Sequence, residues 1–163
     1  VLHAEPEGHA LFPFVPGRHW EAADFQDSGQ MARLADTARR LHGVRGLGGD
    51  GSVFRRIERL IASASSLGLT LPPALGACRK RLADLEAHRR ADGRLLGSLS
   101  HNDLWANNFL DDGARLWLID WEFAGPGDGF YDLATLAMAA GDGDAAIGVL
   151  LSGGFETWTI PAE

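Results

Sequence analysis

The sequence predicts an α+β fold that is mainly helical, with one short β-hairpin at its beginning and a second one near its middle. Apolar residues recur at the three- and four-residue spacing of helices through most of residues 27–91. Short apolar runs flank turn residues near Gly8 and Gly113, as they do in hairpins. Of the 163 residues, 45% are hydrophobic and 23% are charged, which is typical of one soluble domain with its own core.

The first predicted element is a hairpin within residues 1–17. The runs VLHAEP and HALFPFV flank a Glu-Gly pair, and a Pro-Gly pair then marks a turn or hinge. The chain opens at Val1, without a methionine and already in a strand pattern, so we expect a fragment of a longer protein. Leu11, Phe12 and Phe14 would form an exposed apolar edge, through which a dimer could form.

Three helices follow the hairpin. Asp27 or Ser28 caps the first helix and Gly43 ends it, Ser52 caps the second, and a Pro-Pro pair opens the third, whose RKR and HRR runs face solvent. The run GVRGLGGDG is a flexible connector rather than a phosphate loop, because it lies between helical patterns and does not follow a strand. The residues predicted to face inward are Met31, Leu34, Ala35, Ala38 and Leu41, then Val53, Ile57, Leu60, Ile61 and Ala64, then Leu75, Cys78, Leu82 and Leu85.

Short strands replace the helical pattern from Leu95 onward. LLGSLS predicts a buried strand, and NFL and LWLID predict a hairpin around Asp112-Gly113. WEFAGPGDG is a glycine-rich loop, and FYDLATLAMAA and DAAIGVLL predict the last helices.

Charge and composition exclude several classes of partner. The net charge of −7 argues against a nucleic-acid backbone as the main partner and suits a small cationic substrate. No apolar run approaches the roughly 20 residues of a membrane span, and no secretory signal is visible. Cys78 is the only cysteine, so no internal disulfide can form, and we expect a reducing, cytoplasmic location.

The residues suited to chemistry cluster in SHNDLWANNFL. This loop matches H-x-D-x-x-x-x-N at His101, Asp103 and Asn108, and the apolar run LWLI that follows ends at Asp120. In phosphoryl transfer from a nucleoside triphosphate, one carboxylate orients or accepts the proton of the attacking hydroxyl, and an amide oxygen and another carboxylate hold magnesium. A metal-dependent hydrolase is a weaker alternative, because it would need more ligands than this loop supplies.

The loop and the residues after it resemble a known superfamily. LSHNDLWANNFLDDGARLWLIDWEFAGPGDGFYDLATLA is similar to the matching segment of the aminoglycoside phosphotransferase and choline kinase superfamily, whose fold is similar to that of protein kinases. The resemblance covers nearly the whole chain. Asp120-Trp121-Glu122-Phe123, followed by Asp132, most resembles choline and ethanolamine kinases of bacterial type.

The resemblance implies a division of the chain into two parts. Residues 1–17 would be the last hairpin of an N-terminal lobe and the hinge, and residues 18–163 a mainly helical C-terminal catalytic lobe that is incomplete at its end. Phe14 and Val15, in the hinge, would contact ATP. The glycine-rich loop and strand lysine that grip phosphates would be missing with most of the N-terminal lobe, because the only lysine, Lys80, belongs to a helix.

The resemblance also implies roles for the residues of the loop. Asp103 would be the catalytic base, and Asn108, rather than Asn107, would bind Mg²⁺ together with Asp120. His101 would hold the loop or, alternatively, transfer a proton. Of the remaining residues, Asp132 would brace the loop or touch substrate, Asp111 and Asp112 would form a turn, Asp128 would lie in a turn or at a pocket rim, and His42 would be structural.

The aromatic residues near the loop have two interpretations. Trp105, Trp121, Phe123 and Tyr131 either pack or form a pocket for a quaternary ammonium, to which Glu122 would add a carboxylate. The resemblance therefore implies an ATP- and Mg²⁺-dependent phosphotransferase that acts on a hydroxyl of a small cationic molecule, like choline and ethanolamine kinases. The alternatives are an aminoglycoside or other small-molecule kinase, and an isolated lobe that binds a small cation or a partner without catalysis.

Overall fold

The computed structural model of the chain describes residues 2–91, 93 and 95–141, and it is a mixed α+β structure. Short 3-10 helices lie at Ala22–Gln26, Ala106–Asn108 and Trp121–Phe123. The predicted helix at DAAIGVLL lies outside the described residues. The α-helices of the described part are α1 Ser28–His42, α2 Val53–Ser66, α3 Leu75–Ala91 and α4 Gly129–Ala140. Its strands are β1 His3–Ala4, β2 Ala10–Leu11, β3 Arg18–His19, β4 Ser98–Ser100, β5 Phe109–Asp111, β6 Leu116–Leu118 and β7 Gly125–Gly127.

The strands form three small antiparallel sheets. Strands β1 and β2 form the predicted first hairpin, and β5 and β6 form the predicted second hairpin with Phe109 opposite Leu118. Strand β3 extends the second hairpin by pairing with β5, and β4 pairs with β7. The prediction of a loop at WEFAGPGDG was wrong at its Gly-Pro-Gly segment, which is strand β7. A two- or three-residue strand of this kind is defined by the neighbour with which it pairs rather than by a pattern of its own.

Helix α1 forms as the sequence predicts. The Asp27 carboxylate accepts a 2.8 Å hydrogen bond from the Gln30 backbone N–H, which caps the helix, and the helix ends before Gly43. All five of its predicted inward residues are buried. Ser52 likewise caps α2, as predicted.

The inward faces predicted for α2 and α3 are only partly buried. Leu60 and Leu85 are 61% and 47% exposed, and Cys78 is also exposed. Arg89, which was predicted to face solvent within the HRR run, is instead 4% exposed. It is buried because its guanidinium forms an ion pair with Asp128, at a distance of 2.5 Å between Nε and Oδ2. A buried arginine needs such a partner to offset the loss of its hydration.

The core lies beneath the second hairpin and anchors the loop that precedes it. The rings of Trp20, Phe25 and Phe109 form one cluster, in which the Trp20 and Phe109 centroids are 5.2 Å apart. Leu104 and Phe109 are almost completely buried in this core, together with Leu136 of α4. Because Leu104 and Phe109 flank the polar residues between them, burial of the two side chains fixes both ends of that stretch.

The first hairpin, in contrast, lies on the surface. Leu11, Phe12 and Phe14 are 59%, 62% and 90% exposed. The chain leaves the hairpin through Gly17, where a Cβ atom would lie 2.8 Å from the backbone oxygen of Asp111. Glycine permits this close approach, so the exit from the hairpin packs directly against the end of β5. Among the described helices, none is long and apolar enough to cross a membrane.

Candidate active site

The polar loop from His101 to Asn108 is hydrogen-bonded to Asp132 of α4. The fully buried Asp132 carboxylate accepts hydrogen bonds from the backbone N–H groups of His101, at 2.9 Å, and Asn102, at 2.7 Å. His42, at the end of α1, donates from Nε2 to the same carboxylate at 2.8 Å. A Cβ atom at Gly129 would lie 2.9 Å from the His42 ring, so a glycine there lets α4 approach α1 closely. The loop is therefore bonded directly to α4, and α1 holds the α4 carboxylate that bonds it.

His101 links the loop to the strand that leads to Asp120. Its side chain is completely buried, and its Nε2–H donates to the backbone oxygen of Ile119 at 3.0 Å. Its ring centroid lies 4.9 Å from that of Trp121. These are contacts of a side chain that packs and orients two segments.

Asp103 and Asn108 are joined side chain to side chain. The Asn108 amide donates from Nδ2 to both the backbone oxygen and Oδ2 of Asp103, each at 2.8 Å. Since both amide hydrogens are directed to residue 103, Oδ1 is the side-chain oxygen of Asn108 that can accept a further bond or bind a cation. Asn108 is 2% exposed, whereas Asn107 is exposed and its backbone oxygen accepts a 2.7 Å hydrogen bond from Nδ1 of His19. The two asparagines thus differ in environment.

Asp120 follows β6 and lies beside Asn108 along the hairpin. The Asn108 backbone oxygen accepts a 3.0 Å hydrogen bond from the N–H of Ile119, so Asp120 comes one residue after the residue paired with Asn108. Asp120 has φ 63° and ψ 63°, which places it in the left-handed region, and its side chain is exposed. Aspartate tolerates that conformation better than most residues do. The backbone therefore turns sharply at this carboxylate.

The residues at this site have the chemistry that suits Mg²⁺. The Asn108 Oδ1 and the Asp120 carboxylate are oxygen donors at the same end of the hairpin, and Mg²⁺ is commonly held by one or two carboxylates together with substrate phosphates and water. Within the described part of the chain, no three or more His, Cys, Asp or Glu side chains lie close enough together to hold a metal ion by themselves.

Two of the four candidate pocket aromatics expose much of their surface. Trp105 and Trp121 are 43% and 45% exposed, and Trp121 is oriented by a 2.9 Å hydrogen bond from its Nε1–H to the backbone oxygen of Leu118. Glu122, next to Trp121, is exposed, while Tyr131 in α4 is half-buried. The Phe123 ring is covered by Arg56, so it packs.

Several acidic residues near the loop serve local structure. Asp111 is buried, and the hydrogen bonds that it accepts from Arg33, at 2.6 and 2.9 Å, hold the pKa of its carboxyl well below the usual range despite burial. Asp112 accepts bonds from Trp117 and from turn backbone N–H groups, which also lower its pKa, as expected for a turn residue. Asp128 caps α4 by accepting from the Phe130 N–H at 3.0 Å, besides its ion pair with Arg89.

The residues that the sequence analysis considered for ATP contact lie on the surface of the chain or are only half-buried. Lys80 lies in α3 and is 79% exposed, and it pairs with Asp84 at 2.7 Å. Of the two hinge residues predicted to contact ATP, Phe14 is 90% exposed and Val15 is half-buried. The structure therefore places Lys80 in a surface ion pair on a helix, as the sequence predicts.

Sequence reasoning missed Asn102, which lies within the loop, and Arg56, which contacts it. Asn102 lies between His101 and Asp103 in the H-x-D-x-x-x-x-N motif, at a position where the motif specifies no residue type. Asn102 has a positive φ of 65°, and among the described non-glycine residues Asp120 is the other one with a positive φ. A residue type that tolerates positive φ, placed between two predicted site residues, is the signal that could have marked it.

Comparisons with known proteins agree on the fold. The chain is similar to a choline/ethanolamine kinase family protein from Mesorhizobium loti, with a TM-score of 0.70 and 23% identity, over 98% of this chain and 54% of that one. It is also similar to choline kinase LicA from Streptococcus pneumoniae, with a TM-score of 0.64 and 23% identity, over 90% of this chain and 51% of that one. LicA in complex with AMP matches with a TM-score of 0.65 and 23% identity, over 86% of this chain and 48% of that one.

These matches define both the family and the extent of the chain. The chain spans about half the length of the solved structures that it matches. No curated protein matches it. Residues 2–162 match the phosphotransferase enzyme family, APH, by sequence. The chain therefore belongs to the APH phosphotransferase family.

Proposed function

We propose that this chain is the catalytic lobe of an ATP-dependent kinase that phosphorylates a hydroxyl of a small cationic molecule of the choline or ethanolamine kind. The observation that supports this proposal best is the direct linkage of Asp103, Asn108 and Ile119, which precedes Asp120. Asn108 bonds the Asp103 carboxylate with its side chain and the Ile119 N–H with its backbone. The buried Asn108 thus helps to position two acids, Asp103 through its side chain and Asp120 through the backbone of the preceding residue.

Asp103 is the general base in this proposal. The oxygen of the substrate hydroxyl attacks the γ-phosphorus of ATP, the bond from that phosphorus to the β–γ bridging oxygen breaks, and ADP leaves with the bond's electron pair. The hydroxyl proton passes to the Asp103 carboxylate. The 2.8 Å bond from Asn108 holds one carboxylate oxygen, which leaves the other to face the hydroxyl.

Asn108 and Asp120 are the proposed Mg²⁺ ligands. When bound, the ion neutralises charge on the phosphates and keeps the transferred group in line. The protein's part is to present oxygen atoms in a fixed arrangement, and the hairpin register does this by pairing Asn108 with the residue before Asp120. Because the Asp120 side chain is exposed, it is accessible to a phosphate-bound cation.

His101, Asp132 and His42 are proposed to hold the loop rather than to touch substrate. Asp132 is completely buried and its carboxylate accepts from both loop N–H groups and from His42. The His101 Nε2–H is engaged with the Ile119 oxygen. The other ring nitrogen of His101, Nδ1, is buried, whereas Asp103 is only half-buried, so Asp103 is preferred as the base.

The proposed acceptor pocket combines Glu122, Trp121, Trp105 and Tyr131. Glu122 is exposed and directly follows Trp121, and the indole rings of Trp121 and Trp105 are both partly exposed. Carboxylates and aromatic faces suit a cation, which each face stabilises by about 0.5–2 kcal/mol. Two of the matched structures are described as a choline/ethanolamine kinase family protein and a choline kinase, which supports the choice of amino alcohol. The net charge of −7 favours approach of a cation as well.

ATP is proposed to reach the site from the hinge side, near Phe14 and Val15. The AMP complex of LicA supports a nucleotide site in this fold. Lys80 cannot serve as the strand lysine that grips phosphates, because it lies in a helix and pairs with Asp84. We therefore propose that these 163 residues alone bind ATP weakly and do not turn over.

The experiment that tests this function offers four acceptors to two proteins. Choline, ethanolamine, thiamine and an aminoglycoside are incubated with ATP and Mg²⁺, and ADP formation is measured with the 163-residue chain and with the full product of its gene. We expect ADP formation by the full product with choline or ethanolamine, and none by the chain alone. A preference for the aminoglycoside would overturn the acceptor class, and turnover by the chain alone would overturn the account of the ATP site.

A further inference from the structure

Asn102, in the polar loop His101–Asn108, joins three other segments of the chain: those of Asp132, Gly51 and Phe123. It is 4% exposed, and its side-chain Nδ2 donates to the backbone oxygens of Phe123, at 2.9 Å, and Gly51, at 3.2 Å. Its own N–H donates to Asp132 at 2.7 Å. The positive φ of Asn102 costs free energy that a glycine would not incur, so the bonds made by its side chain are what an asparagine adds here.

Arg56 of α2 reinforces the same connection from outside. Its guanidinium carbon lies 3.5 Å from the centroid of the Phe123 ring, and its Nη1 donates to the backbone oxygen of Asn102 at 3.4 Å. The half-buried Arg56 therefore contacts both Asn102 and Phe123, which the Asn102 side chain already joins by a hydrogen bond. A planar guanidinium can stack on a ring and donate in its own plane at the same time, which a lysine cannot do.

The third segment is itself fixed. The Gly51 N–H donates to the backbone oxygen of Pro126 at 2.8 Å, and a Cβ atom at Gly51 would lie 2.9 Å from the Cα of Gly125. The end of the glycine-rich run is therefore packed against β7, although the run was predicted to be a flexible connector. The Gly51 backbone oxygen, which accepts the Asn102 hydrogen bond, is consequently held in position relative to β7.

We propose that Asn102 and Arg56 are positioning residues that clamp the loop carrying Asp120 to the loop carrying Asp103. Asn102 directly precedes Asp103, and Phe123 ends the short helix that begins after Asp120. The clamp thus fixes the distance between the proposed base, Asp103, and the proposed metal ligand, Asp120. This inference rests on the proposed function, because it gives Asp103 and Asp120 their roles.

The clamp is tested first on metal binding by the 163-residue chain. Mn²⁺ replaces Mg²⁺ so that free ion can be measured by electron paramagnetic resonance. Arg56→Ala and Asn102→Gly should each weaken binding by about tenfold, the order seen when residues that orient metal ligands are removed. Arg59→Ala, which removes an exposed arginine from the same helix, should leave the affinity unchanged. In an Asp120→Asn background, Arg56→Ala should cause no additional loss, because its effect acts through Asp120.

A second measurement separates the clamp from the function on which it rests. Amide hydrogen exchange should accelerate at residues 102–103 and 120–124 in Arg56→Ala, while exchange in α1 stays unchanged. Unchanged exchange at those residues, or full additivity of Arg56→Ala with Asp120→Asn in Mn²⁺ affinity, would overturn the clamp. Local acceleration in a chain whose unaltered form binds no Mn²⁺ through Asp120 would support the clamp and overturn the proposed metal site instead.

Discussion

The predicted site residues in the first hairpin and those in the polar loop His101–Asn108 differ in how firmly this chain holds them. In the hairpin, Phe12 and Phe14 are 62% and 90% exposed, and no side chain of the described chain buries them. In the loop, His101, Leu104 and Asn108 are at most 2% exposed. The His101 backbone N–H donates to Asp132 of α4, whose carboxylate also accepts from His42 of α1, and the His101 ring donates to the backbone oxygen of Ile119. Burial and several hydrogen bonds within this chain therefore fix the conformation of the loop, whereas the exposed side chains of the hairpin have no comparable contacts in the described part.

This difference separates two requirements of phosphoryl transfer. The proposed base and metal ligands are held by contacts within this chain. In phosphoryl transfer the phosphates of ATP must be held as well, and positioning of phosphates and metal together accounts for most catalysis in this chemistry. Changes in the loop should therefore alter turnover and stability strongly, whereas changes in the hairpin should leave the stability of the chain nearly unchanged.

The largest expected effect is that of Asp103→Asn on turnover. In the full product of the gene, this change should lower kcat about 10²–10⁴-fold, because an amide cannot accept the hydroxyl proton. The fold should persist, since asparagine retains an oxygen that can accept the Asn108 bond. Asp84→Asn, which alters an exposed acid in a surface ion pair, is the matched control. Turnover of Asp103→Asn close to that of the control would refute the assignment of the base.

The next effect is a loss of stability in Asp132→Asn. Because Asp132 is fully buried and its carboxylate accepts three hydrogen bonds, an amide NH₂ would face one of those donors. The free energy of unfolding of the 163-residue chain should fall by about 3 kcal/mol, measured by urea denaturation. Phe14→Ser in the hairpin should change it by less than about 0.5 kcal/mol. Equal losses in the two variants would remove the contrast between the regions.

The contrast was only partly predictable from the sequence. Helix α1 and both hairpins follow from local signals: Asp27 caps, apolar residues recur at helical spacing, and turn residues separate short apolar runs. Strands β3 and β7 carry no such signal, because each is created by the strand with which it pairs. Arg89 was misassigned to the surface, since its partner Asp128 is distant in sequence and nothing in the HRR run indicates it. Asn102 was missed for the same reason, because its partners Gly51 and Phe123 lie in other segments.

A smaller effect should distinguish the two proposed metal ligands. Asp120→Asn should weaken Mg²⁺ binding more than Asn108→Ala does, because only the carboxylate carries a charge that favours a hard cation. Isothermal titration of Mg²⁺ in the presence of ADP would give the two affinities in the full product of the gene. A greater loss in Asn108→Ala would reverse this ranking and make the buried amide the main ligand.

The smallest effect concerns acid stability at the end of β5. Arg33 lowers the pKa of Asp111 in the folded state, so the ion pair stabilises the fold at pH values above the unfolded carboxyl pKa of about 4. That contribution is lost as the pH falls below this value toward the lower folded pKa. Asp111→Asn should therefore lose less stability than the unaltered chain between about pH 5 and pH 2, as urea denaturation at each pH would show. A parallel decline of the two proteins would rule out this ion pair as a source of acid sensitivity.

Paramagnetic broadening by Mn²⁺ tests the central claim most directly, namely that this chain alone assembles the catalytic half of the site. With Mn²⁺ added to the ¹⁵N-labelled 163-residue chain, we predict loss of amide signals around Asp103, Asn108 and Asp120, while signals of the hairpin strands β1 and β2 stay sharp. Asp120→Asn should abolish the loss. Broadening that is centred elsewhere, or that persists in Asp120→Asn, would contradict the account.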